Sequence, residues 1–226
     1  MRDRWLSRSV LRRLPKLIFG LVLFGVGIAF MAQANLGLGP WEVFHQGIAR
    51  HTGVQLGTVS IVLGVPILLL WLPLGERPGI GTVLNIALIG LATNETLLLL
   101  PAPTDVPVQI ALMLLGVVSI GIASGIYLAT DLGPGPRDGL MTGLHHRFGL
   151  SIRRARTSIE LTVLVGGFLM GGTVGLGTFA FAFGIGPIVQ WSLGVFDPSG
   201  VVARRRQALT DLPATMPSGI FEVPAE

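Results

Sequence analysis

Asn35-Leu36-Gly37-Leu38-Gly39-Pro40-Trp41-Glu42 is matched 96 residues later (131 minus 35) by Asp131-Leu132-Gly133-Pro134-Gly135-Pro136-Arg137-Asp138. Both stretches read amide or acid, Leu, Gly, any residue, Gly, Pro, any residue, acid, and each follows a long apolar run. Glycine permits backbone conformations that other residues avoid, and proline is well suited to the first position of a helix. Each motif therefore predicts a break between two helices.

The composition of the chain is typical of an integral membrane protein. Half of its 226 residues are hydrophobic, only 12% are charged, and the mean hydropathy is +0.71. Soluble domains carry about 25% charged residues. The chain has no cysteine, which excludes disulfides and thiolate chemistry. The sequence contains no evident nucleophile–base set, metal-ligand spacing or phosphate-binding loop, so we expect neither an enzyme nor a metal or cofactor site.

Six apolar segments are candidates to span the membrane. They cover residues 17–34, 58–72, 81–100, 108–130, 157–170 and 179–196. With the N-terminus inside, 15 of the 16 Lys and Arg residues lie on the inner side, and only Arg50 lies outside. This pattern predicts six spans with both termini in the cytoplasm. It also explains the sequence pI of about 10.9 through contact with anionic lipid, so no nucleic-acid partner is needed.

The two motifs belong to a predicted duplication. A shift of 96 residues needs no gap and superposes glycines along both halves, among them Gly20 on Gly116 and Gly90 on Gly186. The chain then divides into a basic cytoplasmic leader (1–16), a first repeat (17–100), a linker (101–107), a second repeat (108–196) and a cytoplasmic tail (197–226) expected to be disordered. Each repeat holds three spans, an odd number. The predicted fold is therefore an all-α membrane protein of six transmembrane helices in two inverted three-helix repeats.

The segments that follow the motifs, residues 40–51 and 136–148, are too short to cross a bilayer. Each is expected to be a half-helix that dips into the membrane or a short helix at its surface. Backbone N–H groups at a helix start can bind an anion, and an acid there can hold a cation or a proton. The candidate substrate or ion site consists of Asn35, Gly37, Gly39, Pro40, Glu42, Asp131, Gly133, Gly135, Pro136, Arg137 and Asp138. Ordinary capping of surface helices explains the two acids almost as well.

Three polar residues of the predicted spans are candidates to line a pathway: Asn94, Glu95 and Gln190. The shift of 96 residues aligns Asn94 with Gln190, and a carboxylate inside a bilayer is costly unless it is neutral or paired. The alternative is that Glu95 reaches the headgroups from the end of its helix. The four histidines are expected to be solvated or interfacial, because no carboxylate or thiol spacing supports a metal site around them.

Two functions fit these features. The first is a small-solute transporter or channel, because inverted three-span repeats with broken helices are a recurrent transporter plan. The second is a non-transporting scaffold or regulator that acts through helix contacts. Patterns such as Gly121–Gly125 favour close helix packing, either within one chain or in a homodimer through Gly-rich faces.

The first motif resembles a known family. Its continuation from Leu36 to Gly47, followed by Thr52-Gly53 and Gly57-Thr58, is similar to the YczE/YyaS/YitT family of bacterial membrane proteins. The similarity covers about residues 15–197, and Asp131–Gly143 is similar to the family's internal counterpart. The resemblance implies a multi-pass protein of the bacterial inner (plasma) membrane. It implies no activity, substrate or catalytic residue.

The predicted topology can be tested by labelling, because the natural chain contains no cysteine. A cysteine introduced by Asp105→Cys should react from outside intact cells with a membrane-impermeant maleimide. A cysteine introduced by Arg77→Cys should react only after the membrane is opened, because its loop is predicted to be cytoplasmic. The opposite pattern would overturn the assigned orientation.

Overall fold

The computed structural model describes residues 8–198 and residue 200, and the regular secondary structure in these ranges is helical throughout. The eight helices are α1 (Arg8–Ala34), α2 (Pro40–Thr52), α3 (Leu56–Leu74), α4 (Ile80–Leu99), α5 (Val106–Leu128), α6 (Pro136–Phe148), α7 (Ile152–Leu169) and α8 (Leu176–Phe196). The predicted all-α class is confirmed. The second half of the predicted leader belongs to α1, and the predicted tail from residue 201 onward lies outside the described residues.

Five of these helices are long and apolar enough to cross a membrane: α1, α3, α4, α5 and α8. Helix α7 ends at Leu169 and so covers all but the last residue of the segment 157–170, over which the sequence predicts a further span. It begins in basic sequence with Arg153, Arg154 and Arg156, and it is not among the five. The sixth span therefore remains a prediction.

Helices α2 and α6 begin and end in the same way. Gly39 and Gly135 precede them in extended conformations, with φ and ψ of −64° and 159° in the first and −63° and 157° in the second. Proline holds the first helical position of both, where its missing N–H costs no helical hydrogen bond. Gly53 and Gly149 end them in the left-handed conformation, at φ 71° and 68°. The helix break that each motif predicts is therefore present.

Two residues with positive φ precede each motif helix. Asn35 and Asp131 both have a φ of 51°, a conformation that Asn and Asp tolerate better than other side chains do. Gly37 and Gly133 have φ values of 112° and 129°, where an L side chain is strained. The paired residues of the two motifs thus adopt paired backbone conformations.

Contacts between helices also come in pairs. Helices α1 and α5 pack against each other, α4 packs against α1 as α8 packs against α5, and α2 packs against α7 as α6 packs against α3. A shift of 96 residues converts each contact into its counterpart. The buried core lies largely between α1 and α5 and includes Leu17, Leu21, Ile28, Val117 and Ile120. The two halves therefore share one core.

Each Gly-Pro loop docks on the last helix of the other half. The carbonyl oxygen of Leu36 accepts a hydrogen bond from the N–H of Gly177 at 2.8 Å. The carbonyl oxygen of Leu132 accepts the equivalent bond from Gly81 at 2.9 Å. These bonds satisfy N–H groups in the first turns of α8 and α4, which have no partner within their own helices. They also fix each loop against the opposite half of the molecule.

The two halves differ in one helix contact: α3 packs closely on α4, and the equivalent helices α7 and α8 do not pack in this way. Gly57 and Gly64 let α3 approach α4 closely, and the N–H of Gly57 donates to Oδ1 of Asn94 at 2.8 Å. The equivalent positions in α7 are Arg153 and Glu160. Within the described ranges, α7 and α8 make no comparably close contact. The large charged side chains of α7 prevent the packing that the glycines of α3 allow.

The crosswise docking predicts a contrast between two glycines of α8. A Cβ at Gly177 would overlap the carbonyl oxygen of Gly37, whereas the nearest atom to a Cβ at Gly184 is Cγ1 of Val117 at an ordinary 3.5 Å. Gly177→Ala should therefore destabilise the protein by about 1–3 kcal/mol, the usual cost of overpacking. Gly184→Ala should be neutral or slightly stabilising, because Ala favours a helix by about 1 kcal/mol over Gly. Thermal unfolding in detergent measures both, and equal effects would contradict the docking.

Candidate functional site

The first turns of α2 and α6 meet at one cavity inside the bundle. The cavity has a volume of about 210 Å³, and all eight helices contribute to its lining. The motif residues that line it are Pro40, Trp41, Glu42, Gly135, Pro136, Arg137 and Asp138. Two stretches that lie 96 residues apart in sequence thus enclose the same space. The volume is below the roughly 300–1,000 Å³ of pockets for drug-sized ligands.

An ion pair joins the two motif helices in this cavity. Nη2 of Arg137 donates to Oε1 of Glu42 at 2.5 Å. The Glu42 side chain is only 4% exposed, and the Arg137 side chain is 26% exposed. Removing a carboxylate from water is strongly unfavourable unless it is paired, so Arg137 is what allows Glu42 to remain charged there. Arg137 in turn lines the cavity and remains within reach of a solute.

Arg137 also stacks on an aromatic ring of the other motif. Its guanidinium carbon lies 5.1 Å from the centroid of the Trp41 ring, within the range of a cation–π contact. The shift of 96 residues makes Trp41 and Arg137 equivalent positions. The two therefore face each other where the two halves meet, and the ring restricts the orientation of the guanidinium group.

Asp138, the counterpart of Glu42, has a different environment. The hydroxyl group of Tyr127 donates to Oδ2 of Asp138 at 3.3 Å. A Cβ placed on Gly135 would lie 3.5 Å from that carboxylate oxygen and 3.6 Å from Nδ2 of Asn85, so these polar groups are close neighbours. The indole N–H of Trp71 donates to the carbonyl oxygen of Pro136 at 3.0 Å and holds the start of α6. Asp138 of the second motif therefore lies among polar groups that line the same cavity.

His45 lies one helical turn beyond Glu42 and corrects a prediction made from the sequence. It is 3% exposed and lines the cavity, whereas a solvated or interfacial position was expected for the histidines. Its ring packs at 6.3 Å from that of Trp41. Within the described structure, Nε2 of His45 and Nε1 of Trp41 are buried without a hydrogen-bond partner. Buried polar atoms of this kind usually have a partner, which is a reason to expect a ligand or water nearby.

The remaining predicted site residues do not themselves line the cavity. Gly37 and Gly133 shape the loops ahead of the motif helices, and Asn35 and Asp131 are exposed at the turns. Gly39 is buried immediately before α2. These residues position the site without lining it.

The three predicted pathway residues also lie outside the described lining of the cavity. Asn94 is buried, and its Nδ2 donates to Oγ1 of Thr58 at 2.9 Å, so it ties α4 to α3. Glu95 and Gln190 are exposed on the outside of the bundle. Sequence reasoning missed Asn85 and Tyr127, which do line the cavity. A polar residue within an apolar run was the available signal, and it does not indicate which face of the helix is buried.

Comparison with known proteins places the chain among bacterial relatives. The model of a family of unknown function, DUF6198, matches residues 11–193. An uncharacterised protein of Haemophilus influenzae is 39% identical over 198 residues, which cover 86% of this chain and 91% of that protein. The uncharacterised membrane protein YczE of Bacillus subtilis is 35% identical over 177 residues, 77% of this chain and 82% of YczE.

A more distant relative is the uncharacterised protein YyaS of Bacillus subtilis, which is 24% identical over 163 residues, 70% of this chain and 81% of YyaS. These relatives confirm the family resemblance that the first motif predicts. No solved structure matches the chain.

Breaking the ion pair at the cavity should be costly. Removing one partner of a buried pair leaves an uncompensated charge and typically costs about 3–5 kcal/mol. Glu42→Gln and Arg137→Gln should therefore each lower the free energy of unfolding, and the double variant should lose clearly less than the sum. Equilibrium unfolding in mixed detergent, followed by tryptophan fluorescence, measures this double-mutant cycle.

The exposed pair between Arg156 and Glu160 provides the matched control. Nε of Arg156 lies 2.9 Å from Oε1 of Glu160, one turn apart on α7, and the side chains are 55% and 30% exposed. Such pairs couple by about 0.3–0.5 kcal/mol. Coupling between Glu42 and Arg137 that is no larger than this control would contradict the burial of the site.

Proposed function

Because the chain belongs to the DUF6198 family, a family of unknown function, its activity has to be inferred from its own site, and we propose that it is a transporter or channel for a small solute. The proposed site is the cavity between the first turns of α2 and α6. The observation that carries the proposal is the ion pair between Glu42 and Arg137 inside a bundle in which five of the described helices are long and apolar enough to cross a membrane. Ionisable groups within a membrane are expensive, and they commonly mark solute or ion pathways.

We further propose six membrane spans, formed by α1, α3, α4, α5, α7 and α8, with α2 and α6 as half-helices. The paired contacts, the paired φ values and the crosswise loop bonds support two copies of one structural unit. Three spans in each unit would place the second unit upside down, with both termini in the cytoplasm and the chain in the bacterial plasma membrane. The half-helices would then enter from opposite sides, and their positive ends would meet at the cavity.

The arrangement around α7 supports a polar route into the site. Arg156 and Glu160 contribute to the lining of the cavity, although both are partly exposed. They lie on the side where α7 and α8 lack the close packing that joins α3 to α4. In the proposed topology this side faces the cytoplasm. A solute could pass there along charged side chains to Arg137.

A scaffold or regulator is the second candidate, and one observation favours it. An apolar hollow lies between α5 and α8, lined by Val118, Ile122, Pro187, Ile188 and Trp191. The Trp191 side chain is 61% exposed there. A helix of another protein or of a second copy of this chain could pack on such a surface. Under this proposal the buried ion pair would only hold the two halves together.

Transport by purified protein in proteoliposomes tests the choice between the two. The panel should contain small anions, small cations and neutral solutes, each compared with protein-free vesicles. We expect at least one solute to enter. Its uptake should fall by about tenfold or more in Arg137→Gln, which corresponds to losing about 1.4 kcal/mol of interaction. Uptake should also fall in Glu42→Gln, because that variant loses the ion pair that joins the two motif helices.

Glu95→Gln is the matched control for this experiment. It removes the same charge from a residue that is exposed on the outside of the bundle and does not line the cavity. Its uptake should equal that of the natural protein. If no solute in the panel enters, or if the site variants transport as well as the control, the result favours a scaffold or regulator over a transporter.

A further inference from the structure

We propose that the solute is a small anion that displaces Glu42 from Arg137, and that Glu42 takes up one proton as the anion binds. The inference rests on the proposed transport function and gives it a substrate class and a coupling ion. Its basis is the geometry of the pair. Nη2 of Arg137 donates a hydrogen bond to Oε1 of Glu42 at 2.5 Å, and both side chains line the same cavity. The carboxylate of Glu42 holds the position that the carboxylate or oxyanion of a solute would take.

The two partners of the pair differ in one chemical property that decides the substrate class. A guanidinium group keeps its charge under all ordinary conditions, whereas a carboxylate can be neutralised by one proton. A cation that bound Glu42 in place of Arg137 would leave the charge of Arg137 without a partner in the cavity. An anion that binds Arg137 in place of Glu42 leaves the carboxylate of Glu42 unpaired, and a proton from solution neutralises that carboxylate. Only the second exchange keeps the cavity at constant charge.

The burial of the two side chains reinforces the coupling. The Glu42 side chain is 4% exposed, so leaving it ionised and unpaired would cost several kcal/mol. The Arg137 side chain is 26% exposed and stays open to the cavity, so an anion can reach it. Trp41 lies against the guanidinium face and can hold it in place while its carboxylate partner changes. Anion binding without proton uptake is therefore the unfavourable path.

Other charged groups around the pair are consistent with this exchange. From α2 itself, His45 lies beside the pair, buried and with Nε2 unpartnered. From α6, Asp138 accepts a hydrogen bond from Tyr127 of α5. The charged residues that α7 contributes are already joined to each other by the salt bridge on that helix. Among the described residues, Glu42 is the carboxylate that pairs with Arg137, and none of these other groups takes its place.

The unpartnered atoms of α2 add a second reason to expect an anion. The indole N–H of Trp41 can only donate a hydrogen bond, and it is buried without an acceptor within the described structure. Nε2 of His45 is buried without a partner as well. A solute oxygen at the guanidinium of Arg137 would bring an acceptor to this part of the cavity. The first turns of both half-helices contribute further positive potential there.

The test uses the full-length protein in proteoliposomes that contain a pH-sensitive dye. The probes are pyruvate, a small carboxylate, and methanesulfonate, an anion of a strong acid that does not cross vesicles as a neutral acid. Methylammonium and urea are the cationic and neutral comparisons. We expect inward gradients of pyruvate and methanesulfonate to acidify the vesicle interior, with one proton moved for each anion and no response to an imposed membrane potential.

The variant Glu42→Gln separates proton coupling from anion binding. A glutamine resembles the protonated carboxyl group and cannot titrate, so pyruvate binding at neutral pH should rise by about tenfold or more, the effect of removing a competing charge pair. Proton movement with the anion should disappear. Arg137→Lys, which keeps the charge and is less disruptive than Arg137→Gln, should retain weakened anion binding. Glu95→Gln should behave as the natural protein does.

Each outcome decides something. Proton movement that persists in Glu42→Gln overturns the role of Glu42, and anion entry without protons overturns the coupling. Entry of methylammonium or urea without entry of either anion overturns the substrate class and leaves the proposed transport function standing. If none of the four probes enters or binds, the inference is overturned. The wider solute panel then decides on the transport function separately.

Discussion

A carboxylate and a guanidinium group held together away from water are the constraint on which the rest of this structure depends. Glu42 can stay charged in an apolar bundle only while Arg137 lies against it. The two residues belong to different halves of the chain, so each half must end a helix inside the bundle and start another there. The Gly-Pro loops provide these breaks, and their crosswise hydrogen bonds hold each loop against the opposite half. The central cavity follows from the same arrangement.

Much of this fold could be predicted from the sequence because local backbone rules decide it. The motif helices were expected at residues 40–51 and 136–148, and they run from Pro40 to Thr52 and from Pro136 to Phe148. Proline at the start and glycine after the end fix these limits without tertiary contacts. The position of α7 relative to the membrane is harder to predict, because its apolar segment favours the bilayer interior and its basic first turns favour the surface. The sequence alone does not decide between these two environments.

The site was predictable only in part. Symmetry between the motifs singled out Glu42, Asp138 and Arg137, and the structure brings all three to one cavity. Symmetry alone does not show that Arg137 pairs with the acid of the other half, because that contact depends on how the two halves pack. Glu95 stands out in the sequence as a charge in an apolar run, yet its side chain is exposed on the outside of the bundle. Tyr127 carries no such signal, because a single tyrosine near a helix end has no pattern to distinguish it.

The most direct measurement of the central claim is a dipolar coupling between the guanidinium nitrogens of arginine and the side-chain carboxyl carbon of glutamate, by solid-state NMR of the labelled protein in lipid bilayers. Glu160→Gln should be the background, because it removes the other salt bridge seen among the described residues. We expect a strong remaining coupling that disappears when Glu42→Gln is added. If that background shows no coupling, or if the coupling survives Glu42→Gln, then the two motif helices do not meet through this pair.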